Sequence, residues 1–399
     1  MPYVASKKTP FPEVLCLAED KIKKQTQPVV LSEEITDWDR QVYREITSID
    51  LNEEQMERII CPSEIYPQQD EVIACHWHPE YIPLALIHKR INRMYPNKKE
   101  ELIIPTDHNV LKSYDGVYAG VEVDCFSKGF NRKVQLLLHF ENSRLEKADT
   151  LKSMLTFTLK YRSSQLFELI DSIVDPQFDH RLQAAAKQTG SDEDLIHFLK
   201  TYTRKLQGLF FENKEHTPVT HIKNKLLANY FDRLLEFYDE RVIKRAQYLI
   251  QVIKKNVKKN FSHEYFYQTE EIIEEARALG AGIVIPHPEQ FWPILLAEYD
   301  VDGYEVWNPQ SRDYTEFLIN VVTKQNRTRQ RANKPLLIFM GDDTHMSEKV
   351  KDPECQNKAK VSRQIGLQRA WEDMAIRKSL SLASVDRSNL IQEYRDRLS

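Results

Sequence analysis

Glycine is scarce in this chain, with 10 residues in 399. There is no glycine-rich phosphate loop, no serine nucleophile elbow and no nicotinamide fingerprint. No apolar run approaches the length of a membrane span. The first residues, Met1 to Lys8, lack the apolar core of a signal peptide, so no membrane partner is expected. Five cysteines (Cys16, Cys61, Cys75, Cys125 and Cys355) are an odd number, widely spread and without a Cys-x-x-Cys pair. They imply reduced thiols and a cytoplasmic setting, and they exclude a zinc knuckle. The formal net charge of −4 gives no bulk positive field for nucleic acid.

What is present is an ordinary balance of 41% hydrophobic and 29% charged residues. The length allows two or three domains, or one (β/α) barrel carrying an insertion. The organising stretch is Val72-Ile73-Ala74-Cys75-His76-Trp77-His78-Pro79. An apolar β-type run ends in His-x-His, and alternate residues of a strand face one side. Both imidazoles therefore aim at one point just past a strand's end.

The same arrangement recurs. Leu102 to Pro105 delivers Thr106, Asp107 and His108, and Gly116 to Phe126 carries Glu122 within a strand-like run. Val134 to Phe140 carries His139, and Ile283 to Pro286 delivers His287. Gly303 to Asn308 is the sixth run, and Leu336 to Met340 leads to Asp342, Asp343 and His345. Helical periods separate several of them, as in Leu84, Ile87, Ile91 and Met94.

Five divisions follow. Residues 1–70 read as an irregular extension wrapping the main domain, with one helix over 36–46. Residues 71–146 and 269–346 hold the strand rhythm, and 147–268 interrupt it as a helical insertion. A long helix, unbroken or broken once, is expected over 218–259. Residues 347–399 form a charged helical tail packed loosely outside.

Strands alternating with helices imply parallel βα units, and about seven strands suggest a closed barrel. Strand ends then meet at one mouth, bringing together His76, His78, His108, Glu122, His139, His287, Asp343 and His345. Histidine with carboxylate suits zinc, manganese or iron. So many ligands exceed one tetrahedral site, so two or three divalent ions are expected. Paired metals activate water and clamp a phosphoryl transition state. Glu122, Asp343 and His345 are the candidate catalytic residues.

Taken in order, His-x-His, Thr-Asp-His-Asn, Val-Glu-Val-Asp, a strand-end His, Pro-His-Pro and Asp-x-His resemble the PHP (polymerase and histidinol phosphatase) superfamily over about 71–140 and 269–346. The resemblance implies an α/β fold, a distorted seven-stranded (β/α) TIM-like barrel, here with a large inserted helical subdomain. It implies metal-dependent phosphoester hydrolysis. It also implies one metal on His76, His78, Glu122 and Asp343, a second on Glu122, His139 and His287, and a third on His108 and His345. Asp107 would orient a neighbouring imidazole. One departure stands out: the family's acidic or histidine ligand after His-x-His is missing, and Glu80 or His88 is its substitute.

The expected substrate is a phosphorylated small molecule, either a phosphomonoester or a small phosphodiester. Lys128, Arg132 and Arg312 either bind its phosphate or sit on solvated turns. The basic stretch Arg241 to Lys259 either tracks a nucleic-acid backbone or is a solvated helix end. Two further readings therefore stand: a nuclease acting on single strands, and a non-catalytic metal-stabilised module that contacts a partner through the insertion.

Overall fold

The computed structural model describes residues 31–328 and 334–399. Residues 1–30, and with them Cys16, lie outside this range. The seven apolar runs all contain strands. They are β1 (Glu71–Ala74), continued by β2 (Trp77–His78), then β3 (Glu100–Ile103), a short β4 (Lys112–Ser113), β5 (Tyr118–Ser127), β6 (Arg132–Glu141), β7 (Gly282–Ile285), β8 (Gly303–Trp307), and β9 (Leu337–Met340) followed by β10 (Thr344–His345).

These strands form one six-stranded mixed sheet, β4-β5-β6-β7-β8-β9, and two parallel pairs, β1-β3 and β2-β10. The expected run of parallel βα units is therefore corrected. β5 and β6 are an antiparallel hairpin, and β6 also runs antiparallel to β7; within the six-stranded sheet only β7-β8-β9 is parallel. The reason is local. Residues 128–131 join β5 to β6, which is enough for a hairpin and far short of a helical crossover. Single backbone contacts link the pieces: a parallel bridge joins His108 to Glu122, and Asp343 N–H donates to the His76 carbonyl at 2.9 Å.

One apolar core lies on the main sheet and a second around β1, β3 and the helix Leu84–Met94. A third lies inside the helical insertion, whose six α-helices run from Asp149–Leu159 to Glu240–Asn260. The long helix expected over 218–259 is broken into Lys225–Arg233 and Glu240–Asn260, with Asp239 capping the second.

Two expectations about the ends are corrected. The helix Asp37–Thr47, opened by a Thr36–Asp39 capping box, buries Val42 and Tyr43 in the insertion's core and not on the sheet. The tail is not loosely packed. Its last helix, Arg387–Leu398, buries Ile391, Tyr394 and Leu398 against the main sheet.

Asp39 ties that first helix down. Its carboxylate accepts from Tyr230 Oη at 2.6 Å, Thr36 Oγ1 at 2.8 Å and Lys205 Nζ at 3.0 Å. Burial alone would push this carboxyl up, but those hydrogen bonds reverse the shift and hold it below its ordinary value. Asp39→Ala leaves a buried Lys205 unpaired and should cost about 3–5 kcal/mol in urea unfolding; a loss under about 1 kcal/mol contradicts the assignment. A depressed folded-state pKa stabilises above the unfolded value of about 3.9 and stops doing so as pH falls through the folded value. The stability gap between wild type and Asp39→Asn should therefore be flat from about pH 5 to 8 and close in stronger acid.

Candidate metal centre

β1 leads straight into His76, and β2 follows with His78; both rings are buried. β5 presents Glu122 from mid-strand, also buried. β10 pairs with β2 so that His345 stands opposite His78. The result is a cluster. Glu122 Oε1 lies 3.9 Å from His76 Nε2 and 3.7 Å from His287 Nε2. Glu122 Oε2 lies 3.6 Å from His78 Nε2 and 2.7 Å from His108 Nδ1. Asp343 Oδ1 lies 3.8, 3.5 and 3.3 Å from the Nε2 atoms of His76, His78 and His345. The rings of His78 and His345 stack at 4.2 Å.

Except for the His108–Glu122 ion pair at 2.7 Å, these atoms stand 3.3 Å or more apart. His76 Nε2, both nitrogens of His78, His108 Nδ1 and both oxygens of Glu122 are buried with no hydrogen-bond partner. Buried polar atoms are normally paired. Donor atoms of His76, His78 and Glu122 lie within 4.8 Å of one another, as do those of His78, His108 and His345. Nitrogen and carboxylate donors so converged fit a divalent transition metal.

The protonation of His108 and Glu122 agrees with that fit, whereas, against burial, nearby acids raise the pKa values of His76, His287 and His345. Burial drives His108 down to about 4 against the pull of Glu122, so its ring is neutral at pH 7. Burial would raise Glu122, but His108, His287 and His76 hold it well below its ordinary value, so it is ionised. Neutral imidazole and ionised carboxylate are the states a metal requires. Burial also opposes protonation of His76, but Glu305, Glu122 and Asp343 outweigh it and raise its pKa to about 10.

Glu305 is the principal partner that sequence reasoning did not assign to an atom. Its Oε1 lies 2.8 Å from His76 Nδ1, and its Oε2 accepts the His287 backbone N–H at 2.9 Å. With Nδ1 engaged, His76 presents Nε2 to the cluster. Gly341 makes room for it, since a Cβ there would overlap the Glu305 carboxylate. Gln310 donates to Asp343 Oδ2 at 2.7 Å, and Arg363 grips the same oxygen and the Asp343 carbonyl. Backbone strain gathers here too: Glu80, His287 and Asp343 have φ of 55°, 29° and 44°. Such conformations cost on the order of 1–3 kcal/mol each and persist where the surroundings impose them.

Several expected residues are placed elsewhere. His139 does not join the cluster: its Nδ1 lies 2.6 Å from Tyr394 Oη and its Nε2 2.9 Å from the Cys75 carbonyl. Both nitrogens are engaged, which follows from the tail helix that delivers Tyr394. Asp107 makes no hydrogen bond to an imidazole; its Oδ1 accepts the Glu80 backbone N–H at 2.9 Å. Lys128 and Arg132 are exposed at the β5–β6 turn. That is five strand residues beyond Glu122, roughly 16 Å away. Arg312 is exposed and lines a separate cleft of about 130 Å³ with Asp342 and Arg363.

Of the two substitutes for the missing ligand, the structure brings in Glu80. Its Oε1 lies 3.8 Å from His345 Nδ1. His88 instead bonds the Tyr114 carbonyl at 2.8 Å and stacks on that ring. Trp77 and Trp307 are buried packing residues, and Trp292 is partly exposed. In the basic helix Glu240–Asn260, Lys244 pairs with Glu240 and Arg245 with Asp192.

No family model matches the sequence, and no curated protein matches it. Among solved structures, the chain is similar to a protein of Bifidobacterium adolescentis described as a "putative metal-dependent phosphoesterase", with 14% identity and a TM-score of 0.39, over 80% of this chain and 98% of that one. At that level of likeness neither fold nor activity transfers from one protein to the other.

Proposed function

We propose that this chain is a metal-dependent phosphoesterase of the PHP type, with its strands forming a distorted barrel around the histidine cluster. The observation that carries the reading is the group of unpartnered buried atoms on His76, His78, His108 and Glu122, aimed at one another beside Asp343 and His345. The barrel reading is supported by the contacts that join the sheet's two ends to the parallel pairs, at His108–Glu122, β2–β10 and His76–Asp343.

His76, His78, Glu122 and Asp343 would hold one ion. His108 and His345, with Glu80 as the acid the motif lacks, would hold another. His287 would share Glu122, in a position left incomplete because His139 is engaged elsewhere. Bound divalent ions supply an acidified water and charge neutralisation for a phosphoryl group. Glu305 fixes the His76 tautomer, and Gln310 with Arg363 fixes the Asp343 carboxylate. The side chains of His108 and His345 are 22% and 20% exposed, against 1% for His76 and His78, so substrate meets those two rings first. A phosphorylated small molecule is the favoured substrate. Two of the seven cations of the basic helix, Lys244 and Arg245, are paired with acids, which weakens that helix as a nucleic-acid face.

Metal-loaded protein should cleave p-nitrophenyl phosphate or its bis-ester, and His76→Ala and Asp343→Ala should each abolish turnover while the circular dichroism spectrum is kept. Metal-replete protein that cleaves neither ester contradicts the proposal. A second prediction separates ligands from bystanders. Glu305→Gln should weaken zinc affinity by about 10–100-fold in a chelator competition, as loss of an imidazole's carboxylate partner does. His139→Gln should leave metal content unchanged by elemental analysis; a loss equal to that of His287→Ala would return His139 to the ligand set.

A further inference from the structure

The helical insertion places cations on the rim of this centre. After the turn Val219–His221 the chain passes close to Glu80 and β10. His221 packs on Tyr81 with ring centres 4.9 Å apart. Lys223 Nζ lies 3.2 Å from Glu80 Oε1. Lys225 Nζ lies 3.1 Å from Ser347 Oγ and 3.2 Å from Glu348 Oε2. Ser347 N–H in turn donates to Glu80 Oε2 at 2.9 Å, so both lysines converge on the loop that carries His345.

Like charges drawn together raise the energy of the folded chain unless something negative compensates them. Here the nearest compensating acid for Lys223 is Glu80, which the proposed function assigns to a metal. With Glu80 committed to an ion, Lys223 is free to bind an anion, and Lys225, paired with Glu348, stands beside it. Both lysines are half-buried. They stand on the insertion's side of Glu80, beyond the rings that would meet the reacting phosphoryl group. A lysine or arginine held in such a place binds phosphate or carboxylate strongly.

We propose that Lys223 and Lys225 form an anion subsite next to the metal centre. The substrate is then a small phosphoester with a second anionic group, carboxylate or phosphate, on the part that leaves. This rests on the phosphoesterase reading and adds the insertion's role, which is to select polyanionic substrates.

The test uses two probes of equal length, propylphosphonate and 3-phosphonopropionate, titrated calorimetrically into the metal-loaded full chain. The second probe differs by its terminal carboxylate. It should bind at least tenfold tighter, and the advantage should shrink with added salt. Lys223→Met/Lys225→Met should remove the tenfold advantage while propylphosphonate affinity and metal content stay as in wild type. Lys225→Arg should keep it. An equal affinity for both probes in wild type overturns the subsite and leaves the phosphoesterase reading standing. Failure of either probe to bind the metal-loaded protein counts against the metal centre itself. A single-stranded oligonucleotide that displaces 3-phosphonopropionate at lower concentration than the free acid overturns the small-molecule assignment.

Discussion

Glu122 is a carboxylate buried in the middle of a β-strand, and the rest of the site answers the cost of putting it there. An ionised carboxylate away from water is tolerated only when paired or bound to a cation. Around it stand His76, His78, His108 and His287, drawn from three separate stretches of chain. None of them satisfies it with a hydrogen bond, and its two oxygens are left facing ring nitrogens that also lack partners. A divalent ion resolves both deficits together. The surrounding side chains then fall into place: Glu305 behind His76, and Gln310 and Arg363 behind Asp343, hold the ligands before any ion arrives.

The fold serves that geometry through its irregularities. β1 breaks after Ala74 and resumes as β2 at Trp77, which lets His76 and His78 leave the sheet toward Glu122. The left-handed residues Glu80, His287 and Asp343 re-aim side chains that a regular strand would send to alternate faces. The helical insertion has an apolar core of its own, but its first helix buries Leu151, Met154 and Leu155 in the sheet's core, and the rest reaches the site through polar contacts such as Tyr161 to Asp124 and Lys223 to Glu80. A unit that contacts the site through charged groups is suited to choosing substrates.

Much of this was legible in the sequence because strands and metal ligands leave short-range signals. Seven apolar runs ending near histidine or acid located the strands, and the spacing in His-x-His and Asp-x-His located four cluster members. What was not legible depends on contacts distant in sequence. His139 has the same strand-end setting as His76, and only the placement of Tyr394, 255 residues later, engages its ring. Glu305 carries no local mark that separates it from other acids, and Glu80 was legible only as one of two substitutes for the missing ligand. The hairpin of β5 and β6 was readable in principle, since four residues cannot hold a crossover helix. Treating the stretch as βα repeats placed Lys128 and Arg132 at the wrong end. The rim lysines sit in a helical region whose periodicity speaks only of packing.

Anomalous diffraction at the zinc edge, from crystals of the metal-loaded protein, measures the central claim directly. The account predicts a peak among His76, His78, Glu122 and Asp343, and a second among His108, His345 and Glu80, with His139 still bonded to Tyr394. Crystals grown with saturating zinc that show no peak beside Glu122 would contradict it.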